Sequence, residues 1–228
     1  MGSLGSIIER ITVNPPKAKH FRQHVAIEHV SPHIQGKHVV EIGCGSGRAS
    51  RHLIERGAAS YIGIDLSQNA IDLARAKTEE SGLSDKVTYR RSGVIDLDTT
   101  QADFVISIGF MHWLTWEEVE HVFNSTNGNN FFHTITQSEY SFRQLLRHLY
   151  IKYSETTDTF SNYRKLDDIC AVAHKHGWGN LYSFEHKDLY SIVGLSSLPL
   201  PNTLGPQYIR TMASDTNSDK KKIALFRR

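Results

Sequence analysis

A chain of 228 residues, 39% hydrophobic and 22% charged, has enough apolar surface for one domain with a modest cap. A formal charge of +2 gives no electrostatic case for nucleic acid or an anionic membrane, and two cysteines, Cys44 and Cys170, are too few for a disulfide scaffold. No stretch has the apolar length of a secretory signal or a membrane span, so a cytoplasmic protein is expected.

In chain order, "KAKHFRQHVAIEHV" predicts a helix near the N-terminus. It sits in a helical cap segment, residues 1–35, ahead of a main domain over 36–228. His20 and His24 are four apart and share one face of that helix. No third ligand follows at a recognisable spacing, so no metal is expected. Strands are predicted at "KHVVEIG" (37–43), "SYIGID" (60–65), "KVTYRR" (86–91), "DFVISIG" (103–109) and "NFFHTIT" (130–136). Between them, "GRASRHLIERG", "SQNAIDLARAKTEESG" and "TWEEVEHVFNS" carry apolar residues at helical spacing, with Ser67 as an N-cap and Gly57 and Gly82 as stops.

The alternation breaks at 138–164, a helix followed by a polar loop, read as a cap insertion. It resumes with the helix "KLDDICAVAHKHGW" and the strand "NLYSFEHK". A Ser-, Pro- and Gly-rich connection follows over 194–206, and "KKIALFRR" reads as the last strand. The expectation is a doubly wound α/β fold: a mostly parallel, seven-stranded, Rossmann-like sheet with helices on both faces and a small helical cap.

In such a sheet, ligands lie beyond the carboxyl ends of the strands where strand order reverses. "VVEIGCGSGRAS" (39–50) puts Gly43, Gly45 and Gly47 there, after the acid Glu41. A dinucleotide fingerprint, G-x-G-x-x-G, would need a third glycine at 48, which is Arg48, and Glu41 would repel a pyrophosphate. A ligand with an ammonium group, a sulfonium and a ribose suits the charges better. Asp65 ends the second strand about 20 residues beyond the glycine turn, where an acid takes ribose hydroxyls.

"VVEIGCGSG" followed by "YIGIDLSQNAIDLARAK" resembles motif I and the next acidic motif of class I S-adenosylmethionine (SAM)-dependent methyltransferases. The likeness continues through "GLSDKVTYRRSGVIDL", "ADFVISIGFMHWL" and "AHKHGW", over about residues 36–186. It implies an enzyme in which Glu41, Gly43, Cys44, Gly45 and Gly47 hold the methionine part of SAM, Asp65 binds the ribose and Leu66 flanks the adenine. Such proteins often place an acid after the third strand for the adenine amino group. Here Gly93 stands in its place, leaving Asp96 or the backbone of Val94 for that task.

The end of the fourth strand, from Ser107 through "SIGFMHWL", should face the methyl group. Methyl transfer from a sulfonium is an in-line displacement that needs alignment and, for a hydroxyl acceptor, a base. His112 is the first candidate base, its intrinsic pKa being near neutrality, and packing beside the pocket is its alternative role. This stretch has neither the N/D-P-P-Y/F/W pattern of base-amino methylases nor an acid resembling the magnesium site of catechol-type enzymes. The cap, with His20, His24, Tyr140, Arg143, Tyr150 and Tyr153 as candidate lining, favours a small-molecule acceptor at oxygen or nitrogen. The competing readings are a tRNA or protein methyltransferase, a nicotinamide-dependent oxidoreductase and a non-catalytic SAM-binding module. The Pro-rich connection leaves a homodimer open.

Overall fold

The computed structural model describes residues 16–137, 162–185, 192–199 and 209–213. Helix α1 (Pro16–Val30) and a 3-10 turn (Ser31–His33) lead into β1 (His38–Ile42), α2 (Ser50–Glu55), β2 (Ser60–Asp65), α3 (Gln68–Glu80) and β3 (Val87–Arg91). Then come β4 (Phe104–Ser107), a 3-10 turn (Met111–Trp113), α4 (Trp116–Ser125) and β5 (Asn130–Thr136). They are followed by α5 (Leu166–Lys175), β6 (Leu181–Glu185), β7 (Ile192–Ser196) and β8 (Ile209–Ala213).

The strands order as β3-β2-β1-β4-β5-β7-β6-β8. The first five are parallel; β7 runs antiparallel between β5 and β6, and β8 antiparallel on β6. Period-2 side-chain alternation divides the apolar residues between two cores. Val39, Tyr61, Phe104, Ile106 and Phe132 pack with Val25 and Val30 of α1, Leu53 of α2 and Ile71 and Ala74 of α3. Val40, Ile42, Val105 and Phe131 pack on the other side with Val119 and Phe123 of α4 and Ile169 of α5. Both faces are thus covered, which is why these strands read as nearly continuous apolar runs.

The helix ends follow local chemistry. Ser67 Oγ accepts the Ala70 N–H at 3.3 Å, and α4 opens with a capping box. In that box Thr115 Oγ1 accepts from Glu118 N–H, and the Glu118 carboxylate accepts from Thr115 N–H. Gly57 and Gly82 stop helices with φ of 95° and 66°.

The edge of the sheet differs from expectation. The seventh strand is Ile192–Ser196, at the start of the stretch read as a connection, and β8 adds an eighth. Strand β7 is buried throughout, so it shows no alternation, and its glycine and serine look like loop residues. Gly194 is there for packing: a Cβ would lie 2.2 Å from Phe184 Cε1. The closing "KKIALFRR" and the predicted helix of the 138–161 segment lie outside the described residues.

Helix α1 is fixed across the sheet by His29. Its Nε2 lies 3.0 Å from Ser196 Oγ, and its ring packs on Phe132 and Phe184. That docking carries Arg22 and Gln23, about two turns earlier in α1, to the carboxyl ends of β1 and β4.

Candidate cofactor site

Strand order reverses between β1 and β4, and two adjoining cavities open there. One, of about 310 Å³, is lined by Arg22, Glu41, Cys44, Gly45, Arg48 and Ile108 among others. The second, of about 450 Å³, is lined by Ile64, Asp65, Leu66, Val94, Trp113 and Leu114 among others. Gly43 and Gly109 border both, and Phe110, which lines the second, packs on Gly43.

The glycine turn is tied to the end of β2. Gly43 N–H and Cys44 N–H donate to Ile64 O, and Gly45 N–H donates to Asp65 Oδ2 at 2.9 Å. The other Asp65 oxygen accepts Ser67 N–H at 2.9 Å. Asp65 therefore joins the turn to the start of α3, and each of its oxygens retains acceptor capacity for a hydroxyl.

All three glycines have positive φ, at 69°, 52° and 68°, but for different neighbours. A Cβ on Gly43 would lie 2.1 Å from Phe110 Cδ2, and one on Gly47 would lie 2.2 Å from the Tyr89 hydroxyl. On Gly45 it would meet nothing within 4 Å. Only at Gly45 does the absent side chain leave open space.

Glu41 is buried in this cleft and receives a hydrogen bond from the Tyr61 hydroxyl. Burial pushes its carboxyl up to about 8; the Tyr61 bond opposes that rise and the nearby Asp65 charge adds to it. Cys44 beside it is raised by burial and by both carboxylates, so its thiol stays protonated and packs as a small apolar group. Arg22 is buried as well, its guanidinium lying where a Gly109 Cβ would be, with Nη2 2.6 Å from that position. One end of the cleft thus pairs a buried carboxyl with two arginines, the complement of an amino acid's ammonium and carboxylate. The other pairs a carboxylate with apolar walls, the complement of a ribose and a base.

Among the residues singled out from sequence, Glu41, Gly43, Cys44, Gly45, Asp65, Leu66 and Val94 line these two cavities. Gly47 borders a neighbouring groove, and Gly93 lies behind Leu66, its Cβ position 3.6 Å from Leu66 Cδ2 and 3.9 Å from Asp96 Oδ2. Ser107 is fully buried and its hydroxyl lies 2.9 Å from His133 Nδ1. His112 is buried, with Nδ1 3.5 Å from Thr136 Oγ1 and its ring stacked on Tyr163. His24 is exposed on α1; the side chain of His20 and all of Tyr140, Arg143, Tyr150 and Tyr153 lie outside the described residues.

Sequence reading missed Arg22; Gly109, Phe110 and Trp113 lie in the "SIGFMHWL" stretch expected at the site but were not singled out. A signal for Arg22 was present: a charge at the head of the buried 22, 25/26, 29 stripe of α1. Among the described residues no group of three or more His, Cys, Asp and Glu is placed to hold a metal ion, and no helix is long and apolar enough to cross a membrane.

Residues 39–127 match the family model described as a methyltransferase domain. The ubiquinone biosynthesis O-methyltransferase of Hahella chejuensis is 28% identical over 165 residues, 61% of this chain and 66% of that protein. The corresponding protein of Coxiella burnetii is 28% identical over 93 residues, so this chain spans only 36% of its length. Among solved structures, magnesium protoporphyrin IX methyltransferase from Synechocystis PCC 6803, with bound S-adenosylhomocysteine (SAH), superposes with a TM-score of 0.59. The two are 18% identical, over 85% of this chain and 94% of that one.

Proposed function

We infer that this chain, whose residues 39–127 match a methyltransferase-domain family model, is a SAM-dependent methyltransferase that methylates an oxygen or nitrogen of a small-molecule metabolite. The observation that carries the reading is the charge layout of the cleft. Glu41, Arg22 and Arg48 gather at one end, with Asp65, Leu66, Val94 and Trp113 at the other. When bound there, SAM supplies a methyl group on a sulfonium.

The chain's own residues bind and orient. Glu41 would face the ammonium and Arg22 the carboxylate, and Asp65, which holds Gly45 in place, would accept the ribose hydroxyls. Gly45 lets the chain pass close to the ligand. His112 is the candidate for taking the acceptor's proton; its buried ring packs between Trp113, which lines the cavity, and Tyr163, and it lines neither cavity itself. The relatives named for ubiquinone and magnesium protoporphyrin support a small acceptor. A protein acceptor is the second reading, favoured by a 34% identity over 85 residues to protein arginine N-methyltransferase 1 of Saccharomyces cerevisiae.

Calorimetric titration with SAH, with NADH as the control, tests the cofactor. Micromolar binding of SAH alone, weakened at least tenfold by Arg22→Ala and by Asp65→Asn, is expected. Binding of NADH, or of neither ligand, refutes the reading. With an acceptor in hand, His112→Ala should cut turnover far more than SAH affinity, and unchanged turnover removes it as the base.

A further inference from the structure

Strand β5 leads to Gln137, and the chain re-enters the described residues at Asn162; Gln137 and Arg164 pair there in an isolated parallel bridge. This neck is fastened to the turn Met111–Leu114. Asn162 N–H donates to His112 O at 2.7 Å, and Asn162 Nδ2 to Leu114 O at 3.0 Å. Arg164 Nη1 donates to Met111 O at 3.2 Å and Nη2 to Leu114 O.

The Arg164 side chain is buried, with its guanidinium 4.5 Å from the Trp116 ring centroid. Among the described residues its hydrogen-bond acceptors are the carbonyls of Met111, Asn162 and Leu114, and the nearby Glu118 charge favours its ionised form. Burying a cation is costly, and a planar fork is needed to reach Met111 and Leu114 together. The turn it grips carries Trp113 and Leu114, and it follows Phe110; all three line the cavity on the Asp65 side.

We propose that Arg164 is a positioning residue for the cofactor. From the neck of the insertion it holds the Phe110–Leu114 wall, and so sets affinity for the adenosine half. The proposal rests on the cofactor reading above.

The test compares Arg164→Lys and Asn162→Ala with Arg22→Ala, using SAH and 5′-methylthioadenosine, which lacks the amino-acid end. Hydrogen exchange of the ligand-free proteins is followed alongside. Arg164→Lys should weaken both ligands at least tenfold and Asn162→Ala should weaken both in the same direction, whereas Arg22→Ala weakens SAH alone. In Arg164→Lys, the Met111–Trp116 amides should exchange at least tenfold faster while those of β1 and β2 keep wild-type protection, a locality that general destabilisation would not produce. Affinities within twofold of wild type in Arg164→Lys, or faster exchange spread evenly through β1 and β2, overturn the proposal. Should the lysine variant not fold, Asn162→Ala decides by the same pair of ligands. Wild-type protein that binds neither ligand overturns the cofactor reading instead, and the exchange pattern then judges whether Arg164 holds the wall.

Discussion

Replacing Glu41 with Gln removes one carboxyl from the bottom of the cleft with almost no change of shape, and the consequence can be counted in protons. With its carboxyl pushed from 4.5 up to about 8 by burial, Glu41 is protonated in the ligand-free protein at pH 6.5. At about 1.4 kcal/mol per pH unit, ionising it there costs about 5 kcal/mol more than in water. An ammonium placed against it opposes that cost, so a ligand carrying one is held best by ionised Glu41. Binding should then expel close to one proton at pH 6.5, because the ligand's α-ammonium is already charged there and takes up almost none. Titration with SAH in phosphate and in Tris, which differ in ionisation enthalpy, reads that number directly. In Glu41→Gln the release should vanish. The apparent affinity of wild type should also rise from pH 6 toward 8, then flatten as the ligand's amine loses its charge. The ligand-free protein should show the opposite trend. Because the folded pKa is raised, the folded state holds more protons between pH 4.5 and 8, so this group's contribution to stability falls as pH rises through that window. A release that is absent in wild type, or equal in the Gln variant, refutes the reasoning.

The three glycines of the turn should separate in one experiment. Gly45→Ala keeps the fold, losing about 1–2 kcal/mol to its left-handed backbone, yet loses SAH binding. Gly43→Ala and Gly47→Ala meet Phe110 and Tyr89 and lower the thermal midpoint well beyond that; equal midpoints in all three would contradict this. His133 is fully buried, and desolvation pulls its imidazole down to about 3. The unfolded chain therefore binds the extra proton between pH 6.5 and 3, and stability is lost as pH falls through that window, by up to about 1.4 kcal/mol per unit. Urea unfolding of wild type and His133→Phe at pH 6.5, 5.5 and 4.5 should show the steeper decline in wild type. Asp65→Ala should lower the thermal midpoint as well as SAH affinity, since Asp65 accepts from both Gly45 and Ser67, whereas Asp65→Asn should affect chiefly affinity.

The first five strands and the turn between β1 and α2 were legible because their signals are local. A buried parallel strand is an apolar run, and a left-handed turn needs glycine wherever it occurs. Asp65 was legible for the same reason: its distance along the chain from the turn equals one βαβ step. The edge was harder to read. "IVGLS" of β7 has neither alternation nor length, and what makes it a strand is pairing with β5 on one side and β6 on the other. The opposite walls of the cleft depend equally on tertiary contacts. Phe110 leads into, and Trp113 ends, a 3-10 turn whose position is set partly by Arg164, about fifty residues away, and Arg22 reaches the cleft because His29 docks α1 on Ser196.

The glycines show why a legible motif can still be misread at its individual positions. Gly43, Gly45 and Gly47 look equivalent in "GCGSG", and ligand approach explains all three equally well from sequence. In the folded chain only Gly45 of the three has open space where a Cβ would stand. Gly47 gives room to Tyr89, whose hydroxyl donates to Ser50 Oγ, and Ser50 in turn donates to Gly47 O, so this glycine closes a hydrogen-bonded ring beneath α2. Gly43 gives room to Phe110, which brings the wall after β4 against the turn after β1. Two of the three glycines therefore shape the cleft from the protein's side, Gly47 for a side chain 42 residues downstream and Gly43 for one 67 residues downstream. A site of this kind is specified by what packs behind the turn as much as by what binds in front of it.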